Sequence, residues 1–416
     1  MTLPKIELRA EKQKLAVGEN QTIDLLVRIT PPAAETDGAV RPKLNIGIAL
    51  DRSGSMGGEK MHEAREAAKY CVDQLLNTDM FSAVIFDDQV DVLFTNQRVT
   101  DREMLKHGID RIQARNSTAL HQGWVQAGLQ VSEGLDRKAV NRVLLITDGQ
   151  ANVGETRVDE LVRQAASAAE RGVATTTIGI GRDFNEDLLM PMAEAGQGNA
   201  WHVQEAADMA KIFETELNGL VRQLAHSVRL SVRTGSGFRI VDMLNDLEKD
   251  GDSWRLPNLL AGSPLNLVFR CEIRASAAAN GAIATIHLQF TQQGNGENVV
   301  IEESFAPVFA SQAEVEACEP DAQVAESVQL LMNARARREA MDRMDAGDYE
   351  GTQRILKSVI SSTLASAASA PSAALFSEID DLNDLGSRAD RNEDPLMLRK
   401  MALYQSERRR KGRDSE

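Results

Sequence analysis

The stretch Leu44-Asn-Ile-Gly-Ile-Ala-Leu50-Asp51-Arg-Ser53-Gly-Ser55-Met56 decides how the chain is read. Leu44 to Leu50 is a short, largely apolar run without alternation, the pattern of a strand buried on both faces. It stops at a carboxylate, and two hydroxyls follow at once on a glycine-containing loop. Beyond the loop, Met61, Ala64, Ala68, Cys71 and Leu75 recur at three- and four-residue spacing, one apolar stripe of a helix. Val143–Thr147 and Val173–Ile180 repeat the buried-strand texture, and Val158, Leu161, Val162, Ala165 and Ala169 form a second stripe. Strands alternating with helices predict a mostly parallel sheet flanked by helices over residues 41–225.

On both sides of this region the period changes to two. Ile23, Leu25, Val27 and Ile29 alternate with polar residues, so residues 1–30 read as two strands, with Pro31–Pro42 as a linker. After 226, Val228, Leu230 and Val232 alternate, as do Leu265, Leu267, Phe269, Cys271 and Ile273, and then Ile286, Leu288 and Phe290. Gly294-Asn-Gly-Glu297 supplies a hairpin turn. About five strands over 226–310 are few for a sandwich, which takes roughly seven. The α/β region is therefore expected to be inserted between two parts, 1–40 and 226–310, of one antiparallel β-sandwich. Residues 311–416 read as helical: a hairpin through Ala313–Arg343 and Gly351–Ser361, a Ser/Ala linker at 361–375, and a helix around Asp394–Arg409. The basic end Glu407-Arg-Arg-Arg-Lys-Gly-Arg413 reads as a solvated terminus.

Composition narrows the classes. The chain has 416 residues, 42% of them apolar and 26% charged, with a net charge of −15. Cores can form, so a disordered chain is excluded. No apolar run approaches the ~20 residues that span a bilayer, and the N-terminus lacks a basic head before an apolar block. Cys71, Cys271 and Cys318 are odd in number and far apart, against a disulfide framework. A cytoplasmic location is expected. The acidic balance argues against nucleic-acid binding, which needs clustered cations.

Several catalytic motifs fail on spacing. His62-Glu63-Ala-Arg-Glu66 has a glutamate where a zinc-protease helix needs its second histidine. Gly54-Ser-Met-Gly-Gly-Glu-Lys60 lacks the phosphate-loop spacing, and neither Ser53 nor Ser55 sits in a nucleophile elbow. What does stand out is convergence. Asp51, Ser53 and Ser55 follow one buried strand, and Asp148 follows another at Ile146-Thr147-Asp148-Gly149. Thr118 lies in Asn116-Ser117-Thr118 before a helix. The carboxyl edge of an open α/β sheet is where ligands bind. Five oxygen donors, two of them charged, suit a hard divalent ion, Mg²⁺ or Mn²⁺.

These residues are also where the chain resembles a known family. Residues 43–225 are similar to a von Willebrand factor type A domain, whose metal-ion-dependent adhesion site reads Asp-x-Ser-x-Ser, a distant Thr, then Asp-Gly. Asp51, Ser53, Ser55, Thr118 and Asp148 fill all five positions. Leu144-Leu-Ile-Thr-Asp-Gly-Gln-Ala-Asn-Val-Gly154 and Ile178-Gly-Ile-Gly-Arg-Asp-Phe-Asn185 resemble cytosolic bacterial members. The resemblance implies a Rossmann-like fold and binding in place of catalysis, with Mg²⁺ or Mn²⁺ ahead of Ca²⁺. It also implies a partner protein whose Glu or Asp completes the metal sphere, and a MoxR-type AAA+ ATPase as a working companion. Neither nucleic acid nor membrane is expected as a partner. The alternative is a metal-dependent hydrolytic enzyme using the same site, which would need a base such as His107, His121 or Glu155.

Overall fold

The computed structural model describes residues 3–33, 41–115, 117–148, 153–182, 184–205, 208–274, 281–391 and 394–412. The chain divides into two compact units, one of Met1–Ala34, Ser227–Phe290 and Asn298–Glu416, the other of Glu35–His226 and Thr291–Glu297. Strands β1 (Lys5–Ala10), β2 (Lys14–Ala16) and β3 (Gln21–Thr30) open the first unit, one more strand than the alternation revealed.

The second unit then runs β4 (Leu44–Asp51), a single 3₁₀ turn at Gly54–Met56, α1 (Glu59–Gln74), β5 (Met80–Phe86), β6 (Val90–Arg98), α2 (Arg102–Asp110) and α3 (Leu120–Glu133). It continues with β7 (Val140–Thr147), α4 (Val158–Glu170), β8 (Ala174–Ile180), α5 (Glu186–Ala195), β9 (Ala200–Val203) and α6 (Met209–Val221). Its six-stranded sheet has the order β6-β5-β4-β7-β8-β9. Only the edge pair β5–β6 is antiparallel. Every residue of β4 and β7 is buried, as a central parallel strand requires. Leu44, Ile46, Ile48 and Leu50 face a core built with α1, α2 and α6. The opposite face packs on α3. There a Cβ on Gly47 would lie 2.5 Å from Val131 Cγ2 and one on Gly123 2.3 Å from Phe86 Cδ1, so only glycine lets the helix sit this close.

The chain returns to the first unit through β10 (Gln223–Thr234), β11 (Phe238–Met243), β12 (Lys249–Asp250), β13 (Ser253–Arg255), β14 (Leu259–Leu260), β15 (Leu265–Ile273), β16 (Ala284–Gln292), β17 (Asn298–Phe305) and β18 (Val308–Ala310). One sheet has the order β1-β3-β15-β11, with β15 antiparallel to β3 from Leu265↔Ile29 to Ile273↔Gln21. The N-terminal strands thus complete a sheet with strands more than 200 residues later. The other sheet has the order β12-β13-β10-β16-β17, with β14 beside β10. Trp254 meets Phe269 edge-on at 5.0 Å, and Phe238 lies 6.5 Å from Phe305, so the two sheets share an aromatic interior.

The helices are α7 (Gln312–Glu316), α8 (Ala322–Asp345), α9 (Tyr349–Ser369), α10 (Ala373–Asp390) and α11 (Pro395–Arg410). Val324 and Leu331 of α8 cover Leu26 of β3 and Val268 of β15. Among the described residues no helix is long and apolar enough to cross a membrane.

Two expectations are overturned here. Residues 361–375 are not a linker: α9 runs through Ser369, and α10 starts at Ala373, capped by Ser372 accepting from the Leu375 amide at 3.1 Å. Alanine is the best helix former. Ser361, Thr363 and Ser369 turn their hydroxyls back onto the carbonyls of Lys357, Val359 and Ala365, a pattern helices tolerate at slight cost. Up to Gly412 the basic end is not a solvated tail either; Arg413 lies outside the described residues. Arg409 Nε reaches the fully buried Glu378 at 3.1 Å, and Arg337 pairs with the same carboxylate at 2.5 Å. The Asn266 amide donates to Gly412 O at 2.8 Å, fastening the end of α11 to β15. The expected linker at Pro31–Pro42 falls largely on 34–40, outside the described residues.

Candidate metal centre

Register alone brings the two aspartate segments together. In the parallel pair β4–β7, Leu50 stands opposite Ile146, so the next residues along each strand, Asp51 and Thr147, emerge side by side at the carboxyl edge. Asp51 is fully buried. Its Oδ1 accepts from the Ser53 amide at 2.8 Å, and its Oδ2 accepts from Thr147 Oγ1 at 2.6 Å. Burial pushes its carboxyl up to about 6, against the opposing effect of the Thr147 and Ser53 hydrogen bonds; the charge of Asp148 pushes the same way as burial.

The remaining oxygens form a chain. Ser53 Oγ lies 3.1 Å from Ser55 Oγ, and Ser55 Oγ donates to Asp148 Oδ1 at 2.8 Å. The Lys60 ammonium, from the first turn of α1, closes on Asp148 Oδ2. Asp51, Ser53, Ser55 and Asp148 are therefore gathered as their sequence positions predict. Thr118 is buried on the segment leading into α3. That segment is tied down on both sides of Thr118: the Arg115 amide donates to Arg52 O at 2.6 Å, and the Ala119 amide to Asp87 O at 2.6 Å.

A charged frame supports these loops. Asp87, fully buried just after β5, pairs with Arg52 at 3.1 Å and Arg115 at 2.5 Å, while Arg52 reaches Asp91 at 2.5 Å. Burial alone would raise the Asp87 carboxyl. The Gln89 amide, the Arg115 hydrogen bond and the two guanidinium charges outweigh it, and the group is held below its ordinary value. Sequence spacing did not point to Thr147, Lys60 or this frame. Position gave a signal for three of them: Thr147 ends β7, and Arg52 and Asp87 directly follow β4 and β5, whereas Lys60 and Arg115 lie far from any strand end.

The residues fit a divalent ion. Among the described residues, Asp51 is a buried carboxylate held by the Ser53 amide and the Thr147 hydroxyl, and Asp148 pairs with the Lys60 ammonium, so two negative charges face one positive. The Ser55 hydroxyl, bonded to Asp148, and the Ser53 hydroxyl beside it add neutral oxygens, the donor type that hard cations take. Among the described residues no three His, Cys, Asp or Glu side chains are placed to share an ion, so a centre here depends on those hydroxyls. The groups considered as a general base are engaged elsewhere. His121 Nε2 lies 2.8 Å from Gln164 Oε1 and His107 Nε2 2.8 Å from an Arg111 nitrogen. Glu155 is held down to about 2, chiefly by its hydrogen bond from Arg157.

A doubly flanked parallel sheet with an Asp-x-Ser-x-Ser loop and a second aspartate at its carboxyl edge defines a von Willebrand factor type A domain. The profile of that family, described as the von Willebrand factor type A domain, matches residues 45–215, and the chain carries this domain there. An uncharacterized protein of Synechocystis sp. is 23% identical over 344 residues, covering 80% of this chain and 81% of its own. A von Willebrand factor type A protein from Catenulispora acidiphila superimposes with a TM-score of 0.71 at 18% identity, over 92% of this chain and 90% of its own. The ArnB paralog VWA2 from Sulfolobus acidocaldarius does so at 0.62 and 16%, over 99% and 98%. At such identities the likeness is one of fold, and it extends beyond the domain to the sandwich and helices.

Proposed function

We propose that the chain is a metal-dependent protein-interaction module in the cytoplasm, with Asp51, Ser53, Ser55, Thr118 and Asp148 holding Mg²⁺ or Mn²⁺ directly or through water. A Glu or Asp of a partner protein completes the sphere. The observation that carries this reading is the pair of buried carboxylates, linked to two serine hydroxyls and short of positive charge. When bound, the ion supplies an electrophilic point that an outside carboxylate can occupy. Two ionised aspartates balance its charge, and neutral hydroxyls leave that electrophilicity undiminished. The prior engagement of His107, His121 and Glu155 favours binding over hydrolysis. The company of a MoxR-type AAA+ ATPase follows from the family resemblance and is part of the proposal.

The test is a pair of measurements on the whole chain. Calorimetric titration should show saturable, one-site Mg²⁺ or Mn²⁺ binding, weakened at least about tenfold in Thr118→Ala, which removes one neutral ligand. Proteins co-purifying in Mg²⁺ should be lost both in EDTA and with the Thr118→Ala chain. Partners retained equally under all three conditions would place the interaction surface away from these residues. Turnover of generic phosphate, ester or peptide substrates that depends on Asp51 would move the reading to the hydrolytic alternative.

A further inference from the structure

The ammonium of Lys60 sits where positive charge is wanted most. Its partner Asp148 is fully buried, whereas the Lys60 side chain remains 31% exposed. Asp148 is used on both sides, Oδ1 by the Ser55 hydroxyl and Oδ2 by Lys60. The lysine stem runs beside Gly181, at a distance where a Cβ would make ordinary contact with its Cε and Nζ. Asp51, by contrast, is held by the Ser53 amide and the Thr147 hydroxyl.

From this asymmetry we infer that Lys60 is a built-in cation that competes with the divalent ion for Asp148 and thereby sets the affinity of the site. The inference rests on the metal reading above and goes beyond it by naming the residue that opposes the ion. With Lys60 seated, the two carboxylates carry a net charge of −1. A divalent ion added beside it makes the cluster +1. Two cations within a few ångströms repel strongly even at an effective dielectric of about 20. Lys60 must then swing out on its flexible, partly exposed stem, or the ion must bind more weakly. The surplus positive charge has a second effect: an incoming carboxylate cancels it. Ion and anionic ligand therefore strengthen one another, reciprocally.

Titration with Mn²⁺ alone, at fixed pH and ionic strength, tests this on the full chain. Lys60→Met, and independently Lys60→Gln, should tighten Mn²⁺ binding about tenfold or more, while Lys60→Arg, which keeps the charge, should stay near wild type. The melting temperature of metal-free Lys60→Met should fall, because a buried carboxylate is left without its cation, and Mn²⁺ should raise it more than it raises wild type. Lys60→Gln binding Mn²⁺ with unchanged or weaker affinity would overturn the inference while leaving the metal reading intact. No saturable Mn²⁺ binding by wild type, or binding indifferent to Thr118→Ala, would overturn the metal reading itself and this inference with it.

Discussion

Thr147 spends its hydroxyl on Asp51 Oδ2, and both side chains are fully buried. Replacing it by valine keeps the shape and deletes the donor, so a buried carboxylate oxygen loses its hydrogen-bond partner. The expected cost is about 1–3 kcal/mol of stability, more than a surface threonine would show. A denaturant titration of Thr147→Val reads it, and a midpoint equal to wild type would show that Asp51 does not depend on this bond. Asp51, Ser53, Ser55 and Asp148 could be read from the sequence because each lies at or just beyond a recognisable buried strand. Thr147 could not, since what turns it toward Asp51 is the register of β4 against β7, a tertiary fact. Lys60 was hidden for a different reason. A lysine in the first turn of a helix ordinarily reads as a solvated charge, and only the fold puts it on a buried aspartate.

Among the elements, α9 misled the sequence reading most. Its Ser/Ala stretch looks like low-complexity linker, yet Thr363 and Ala367 are buried against α8 and α10, and Asn333 Nδ2 donates to Thr363 Oγ1 at 2.9 Å. Ala365→Pro separates the two readings. In a linker it would be harmless; in this helix it should destabilise the chain by about 3 kcal/mol, read as a lowered melting temperature.

Ion pairs reinforce the attachment of α8 to the turn after β11, where Leu244 also packs with Val324 and Leu331. Arg335 reaches Asp242 at 2.6 Å and Asp246 at 2.5 Å. The Arg335 hydrogen bond holds the Asp242 carboxyl below its ordinary value of 3.8, against the cost of burial. A carboxyl depressed only in the folded state lends its full stability above the unfolded value and loses it as pH falls through the lower folded one. The melting-temperature gap between wild type and Asp242→Asn should therefore be constant down to pH about 5 and shrink below it. The gap should be modest, because Asp242 is 37% and Arg335 25% exposed. A gap that widens in acid would show that the pair is not what fastens the helix.

On the scale of the whole molecule, β3 is the strand the first unit cannot lose. It pairs with β1 on one side and β15 on the other. Leu25, Leu26, Val27 and Ile29 are all essentially inaccessible. Deleting residues 1–30 uncovers the edge of β15, and an unpaired apolar edge invites association between chains. The truncated chain should aggregate, while the parallel sheet over 41–226, whose strands all lie within it, keeps its amide-exchange protection. A soluble, monomeric truncation would show that β15 finds another partner. The inserted arrangement was legible because the hydrophobic period switches from two to helical and back. The C-terminal anchoring was not, because the Asn266–Gly412 bond joins positions that no local pattern connects.

That long reach has a consequence in time. During vectorial synthesis β3 leaves the ribosome well before β15, and it waits while residues 31–264 are made, roughly 10–50 s at about 5–20 residues per second. Through that interval the edge of β3 that will pair with β15 stands open while the α/β domain, contiguous over most of its length, can already close. Newborn chains should therefore depend on a chaperone that shields extended apolar segments. In a pulse–chase with limited proteolysis, protection of 41–226 should precede protection of 5–30 by tens of seconds. Simultaneous protection of both would mean that the early strands are sheltered by something other than their final neighbours.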